Sequence, residues 1–290
     1  MKLKRLIEDG DPEKVAGGFQ FLEGPVWHRD GFLIFSDIPA SKIYRYDANG
    51  DVSVFREDSG NSNGLTFDPQ GCLVACEHGN RRVSRTLADG SIVTLADSYQ
   101  GKLLNRPNDV VVRSDGVVYF TDPNYGKNPG ERMDASETEQ PCNGVYRVLT
   151  DGTIERVAED FERPNGLAFS PDEAILYIDD SGRRHVRAFD VQADGTIANS
   201  RIVGDMDHPQ PGSPDGMKID SEGNLYVTGA TGVWVFTPTG EHLGVIVTPE
   251  RPANCAWGDA DRQSLYITAR TSLYRIRTRV PGNPVVGQNE

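Results

Sequence analysis

Six side-chain oxygens stand at the same place in a phrase that the sequence repeats: Glu23, Asn63, Asn108, Asn165, Asp215 and Asn254. Each opens an apolar run, usually with Gly next, and each is followed five residues later by a turn such as HRDG from His28, DPQG from Asp68 or DSEG from Asp220. Glu23 and Asp215 are carboxylates and the four asparagines carry amide oxygens, with no thiolate or imidazole among them. Such a set suits a hard dication. Ca²⁺, which takes roughly 6–8 oxygen ligands, fits it better than Zn²⁺. The bland alternative is that Asn-Gly and Asp-Gly are turn pairs, as they are in most β proteins. For one opener that reading is the stronger. For six in a common register it is the weaker, because no turn requires Glu23 or Asp215 where the others have asparagine.

The elements that must position these residues follow from the spacing. The openers are 40, 45, 57, 50 and 39 residues apart. After each turn comes a β-type run: FLIFSD (32–37), LVACEH (73–78), VVYFTD (117–122), ILYIDD (175–180), LYVTGA (225–230) and SLYITA (264–269). A third run follows in each repeat, from KIYRYD (42–47) to SLYRIR (272–277), and Asn49-Gly50, Asp89-Gly90 or Asp151-Gly152 turns lead to a fourth. Repeats of this length with four short strands specify an all-β, six-bladed β-propeller, read as one domain over 1–290 with blades starting near 23, 63, 108, 165, 215 and 254. The last repeat lacks its fourth strand, and an open sheet edge is a liability. Part of 14–22 is therefore expected to return and close the ring. First strands start at one rim of the central channel and second strands return to it. The six openers, Asp37, Asp122, Asp180 and the polar stretch 123–143, a candidate lid, are thus placed on one face.

Composition removes several classes of function. Thirty basic against 43 acidic residues give a net charge of −13, which disfavours nucleic acid and anionic membranes as partners. No apolar run reaches the ~20 residues of a membrane span. The opening MKLKRLIEDGDPEK has no apolar core, so a secretory signal is not expected and the chain is placed in the cytoplasm. Oligomeric state is not legible. Cys72 and Cys76 would lie roughly 13 Å apart along a strand, too far for a disulfide, so free thiols are expected. GNSNG (60–64) has the letters of a nucleophile elbow around Ser62, but a turn follows where a helix is needed. The five histidines show no paired ligand spacing and read as surface or packing residues; the three tryptophans read as core.

EGPVW (23–27) with SDIPASKIYRYD (36–47), RPNDV (106–110) with FTDPNYG (120–126), PNGLAFSPDE (164–173) and SPDGMKIDSEGNLYVTG (213–229) together resemble the senescence marker protein/gluconolactonase/luciferin-regenerating enzyme family, in its bacterial gluconolactonase-like branch. The resemblance runs from about Glu23 to Arg277. It implies a metal-dependent hydrolase that opens sugar lactones, with one divalent cation, commonly Ca²⁺, at the channel mouth. It implies Glu23, Asn165 and Asp215 as metal ligands, Asn108 at the metal or the substrate, Arg106 as a substrate-binding residue and Asp215 as the base. The alternatives are an organophosphate or phosphotriester hydrolase on the same site, and a non-enzymatic cation-binding or scaffold propeller.

Overall fold

The structure, a computed structural model, describes residues 2–124 and 138–287. Most of the candidate lid at 123–143 therefore lies outside the described residues. Six four-stranded antiparallel sheets follow one another along the chain and form a six-bladed propeller. Blade 1 runs through Leu22–His28, Phe32–Asp37, Lys42–Asp47 and Val52–Arg56, and the next four blades repeat that meander. The sixth differs. Its inner three strands are Asn254–Gly258, Ser264–Ala269 and Ser272–Arg277, and its outer strand is Glu13–Gly17 from the other end of the chain, pairing with Ser272–Arg277. The expected closure thus holds, starting one residue earlier than 14. Among the described residues the only helical piece is a 3₁₀ turn, Leu3–Arg5, and no helix is long and apolar enough to cross a membrane.

Alternation along each strand explains where the core sits. A propeller blade is covered on both faces, so its middle strands are buried throughout, as in Phe32–Asp37 and Ser264–Ala269, where every residue is buried. Six apolar clusters result, each shared by two consecutive blades. One joins Tyr226 and Val233 of the fifth blade to Trp257 and Leu265 of the sixth; another joins Ala256 and Tyr266 of the sixth to Leu22 and Phe35 of the first. Trp27, Trp234 and Trp257 are all buried in these layers, and the four cysteines are free thiols. The ring holds because each blade depends on its neighbours, not on a centre.

The centre is a channel. At the end away from the openers lies a cavity of about 460 Å³ lined by inner-strand residues such as Val26, Val110, Ala168 and Ile219. The segment after the last strand crosses this end: Ser221 donates its N–H to Pro281 O at 2.9 Å and Asn283 to Ile219 O at 2.9 Å. Val285 then packs on the cluster between blades 1 and 2.

Candidate metal and active site

The six openers form a closed ring at the other end of the channel, joined link by link by hydrogen bonds. Ser36, opposite Glu23 in its ladder, donates to Asn63 O at 2.8 Å. Gly64 N–H donates to Asn108 O at 2.8 Å, and Thr121 Oγ1 to Asn165 O at 2.8 Å. Gly166 N–H donates to Asp215 O at 3.1 Å and Gly216 N–H to Ala253 O at 2.7 Å. Asn254 Nδ2 closes the circle on Glu23 Oε2 at 3.0 Å. The glycine after the opener has a physical cause here: inner strands of adjacent blades touch backbone to backbone. A Cβ on Gly166 would lie 2.2 Å from Asp215 O, and one on Gly64 would lie 2.6 Å from Asp109 Cα. The same phrase therefore serves both packing and the donor ring.

All six openers are buried or nearly so: Glu23, Asn63, Asn108, Asn165 and Asn254 show at most 4% of their surface. Burial pushes the Glu23 carboxyl up to about 7, helped by the charge of Asp109 and opposed by Lys218. Asp215 is held well above the usual carboxylate range, first by burial and then by the charge of Glu23. Lys218 offsets the first acid and Arg251 the second only in part, and a dication between them would supply a fuller countercharge. The hydrogen bonds are compatible with that. Asn165 turns its Nδ2 to Asp215 Oδ1 at 2.8 Å and to Ser181 Oγ at 3.0 Å, which leaves its amide oxygen for a cation. Glu23 Oε2 takes the N–H of Gly24 and the amide of Asn254, and among the described residues no hydrogen bond reaches Oε1. Asn63 directs its Nδ2 at His78 Nε2, 3.2 Å away, and among the described residues nothing donates to its buried Oδ1. Among the described residues no three His, Cys, Asp or Glu side chains assemble as a ready-made site. Two carboxylates completed by amide oxygens are what the ring offers, and that set fits Ca²⁺.

One expectation changes in detail. Asn254 does not present its oxygen to the ring: that atom accepts the Cys255 N–H at 2.9 Å and Lys218 Nζ at 3.3 Å, so the NH₂ end faces Glu23. Asp37, Asp122 and Asp180 stand at the opener rim as the strand geometry requires, but they serve the backbone. Asp37 accepts the N–H groups of Gln20 and Phe21, Asp122 that of Asn105, and Asp180 those of Glu162, Arg163, Gly182 and Arg183. Each clamps the turn that leads into its blade's opener. Ser62 is fully buried and bonded to Ser36 Oγ at 2.9 Å, which leaves no elbow for a nucleophile.

Arg106 and Asn108 are both buried beside the ring, on the loop held by Asp122. The sequence reading passed over four of their neighbours. His78 is buried against Asn63, and burial, with the charge of Arg106, lowers its pKa to about 3, so it is a neutral imidazole. It stands just past the end of the second strand, as Ser181 does in the fourth blade, and both bond their own blade's opener; that shared offset was the available signal. Asp179 is fully buried with neither oxygen hydrogen-bonded, and the Gly166 amide beside it is committed to Asp215 O. Burial, compounded by Asp215 and Asp109, holds its pKa well above the carboxylate range. Asp109 and Lys218 lie 3.9 Å apart on the axis below Glu23 and Asn254.

Similarity to known proteins accords with this geometry. A gluconolactonase from Zymomonas mobilis is 34% identical over 97% of this chain and 85% of its own length. The pentonolactonase XacC of Haloferax volcanii is 28% identical over 85% of this chain and 80% of its own. The solved structure of XC5397 from Xanthomonas campestris, described as a gluconolactonase important in glucose secondary metabolic pathways, matches with a TM-score of 0.86 at 35% identity over 95% of this chain and 92% of that one. Residues 21–271 match the profile described as the SMP-30/Gluconolactonase/LRE-like region, and the chain belongs to that family.

Proposed function

We propose that this chain hydrolyses sugar lactones to the open hydroxy acids at one divalent-cation site, with Ca²⁺ as the fitting ion. The enzyme class is that of carboxylic ester hydrolases of the lactonase type. The observation that carries the cation is the pair of buried carboxylates, Glu23 and Asp215, each pushed up by burial and by its neighbours' charge, in a ring that also holds spare amide oxygens. Glu23, Asn165 and Asp215 would hold the ion, with Asn108 as a further candidate. Bound there, a hard dication supplies Lewis-acid polarisation of the lactone carbonyl and stabilises the negative charge that develops on its oxygen.

The chain's own residues supply the rest. Asp215, half-buried and bonded on one oxygen by Asn165, is the base that takes the proton of the attacking water and returns it to the leaving ring oxygen. Arg106 and Asn108, on a loop held by Asp122, orient the sugar hydroxyls and the ring. His78, neutral and fixed against Asn63, shapes the wall without adding charge.

The test is a metal-titrated screen of aldonolactones and a phosphotriester, following proton release. Lactone turnover is expected to fall on chelation and to return with Ca²⁺. Asp215→Asn, nearly isosteric, is expected to keep the fold and lose about 10²–10⁴-fold in kcat. Turnover that ignores chelator, or an active Asp215→Asn, would remove the proposal.

A further inference from the structure

Lys218 occupies a position where the pattern calls for an apolar residue. It lies in the three-residue inner strand Met217–Ile219, whose two ends are buried in the layer between the fourth and fifth blades. Side chains alternate along a strand, so Lys218 faces the opposite way, into the channel, where it lines the top of the lower cavity. Its ammonium donates to Met217 O at 3.0 Å and Asn254 Oδ1 at 3.3 Å, and stands 3.9 Å from Asp109 Oδ2.

Asn254 connects this ammonium to the ring. Its side chain is wedged against Gly216, where an added Cβ would lie 1.9 Å from Asn254 Cγ. An amide so confined has two settings, related by exchanging its oxygen and nitrogen. On one side it meets two donors, the Cys255 N–H and Lys218 Nζ; on the other it meets the carboxylate of Glu23. The observed setting satisfies all three. The reverse would set an oxygen against a buried carboxylate and an NH₂ against an ammonium. Lys218 thus biases the amide, and the amide, together with the Gly24 N–H at 2.8 Å, fixes Glu23 Oε2, so that among the described residues Oε1 is the oxygen left without a hydrogen bond. We propose that Lys218 is a positioning residue which, through Asn254, sets the direction of the Glu23 carboxylate at the cation site. This rests on the cation-site reading given above and adds a residue to it.

The sign of one measurement separates this role from simple electrostatics. Removing a positive charge beside an anionic site should by Coulomb's law tighten cation binding; releasing Glu23 should weaken it. Calcium is titrated calorimetrically into the full chain and into Lys218→Met, Lys218→Arg, Asn254→Ala and the double variant Lys218→Met/Asn254→Ala, with melting in chelator to establish folding. Lys218→Met is expected to raise Kd for Ca²⁺ about 10-fold, the loss usual for a residue that orients a ligand, and Lys218→Arg to stay near the wild type. Asn254→Ala is expected to lose as much, and adding Lys218→Met to it should change nothing more. Unchanged or tighter binding by Lys218→Met, or equal losses in both backgrounds, overturns the proposal. So does unchanged binding by Asn254→Ala, which leaves Lys218 in place and keeps the test decisive if Lys218→Met does not fold. A wild-type chain that binds no calcium would end the cation-site reading itself, and Lys218's role with it.

Discussion

At the residue scale the site is a contest between burial and charge, and pH reads it out. Glu23 titrates near 7 in the metal-free fold against an ordinary value of 4.5, so the native state holds a proton over that window that the unfolded chain has released. Stability rises with pH only where the unfolded state binds more protons. Here the native state binds more, so this group makes the metal-free protein less stable as pH rises from 4.5 to 7. Calcium reverses the sense, because a cation takes the carboxylate and expels the proton. Calcium affinity is therefore expected to rise between pH 6 and 8, with proton release visible as a buffer-dependent calorimetric heat. Affinity that is flat across this range would contradict the assignment of Glu23. The acid limb of activity should belong to these carboxylates and not to His78, whose pKa is pushed down to about 3 by burial and by Arg106. His78→Gln should accordingly retain the limb at its wild-type position in a pH–rate profile.

At the element scale the inner strands must come close enough for their openers to form one ring, and glycine sets that distance. Gly166→Ala would put a methyl 2.2 Å from Asp215 O and 2.8 Å from Met217 N, both backbone atoms that cannot rotate away. The segment bearing Asp215 must shift. A loss of about 1–3 kcal/mol is expected in a urea melt with chelator, together with weaker calcium binding; wild-type values for both would mean that the ring tolerates a wider spacing. This double duty is why the ring was legible in the sequence: packing and donor chemistry both act at one offset, and six copies make the offset visible. The strands were legible for a related reason, since runs buried on both faces are mostly apolar. The runs 32–37, 175–180 and 264–269 coincide with Phe32–Asp37, Ile175–Asp180 and Ser264–Ala269. The inner strands of the third and fifth blades start only at Val110 and Met217, two residues past their openers. Asp179 and Lys218 were not legible, because the role of each arises only against other blades, while His78 was marked only by the offset it shares with Ser181. Asn254 shows the same limit: its letter gives an oxygen and a nitrogen, and only Lys218 and Cys255 decide which of them faces Glu23.

At the scale of the molecule, the ring of blades and the ring of openers close at the same seam. Blade 6 takes its outer strand from Glu13–Gly17, and at the inner edge of the same blade Asn254 bonds Glu23 of blade 1. The strand is held by its ladder with Ser272–Arg277 and by the Arg275–Glu13 ion pair at 3.1 Å, while Val15 and Ala16 pack on the cluster between blades 6 and 1. An exposed ion pair contributes little, so the ladder and the apolar contacts are the main hold. Removing residues 2–17 would leave Ser272–Arg277 as an unpaired edge and strip one side of that cluster. A loss of several kcal/mol follows, or on the order of 10 °C in Tm for a chain of this size, with concentration-dependent aggregation through the free edge. Calcium affinity should fall as well, although every ligand is retained, because a loosened blade 6 no longer holds Asn254 against Glu23. A peptide carrying the missing strand, added in trans, should recover part of both losses if the edge is their cause. Recovery of neither, in a truncated chain that still melts cooperatively, would mean that the seam is held by the inner strands and that the losses come from residues 3–7, which pack between blades 5 and 6.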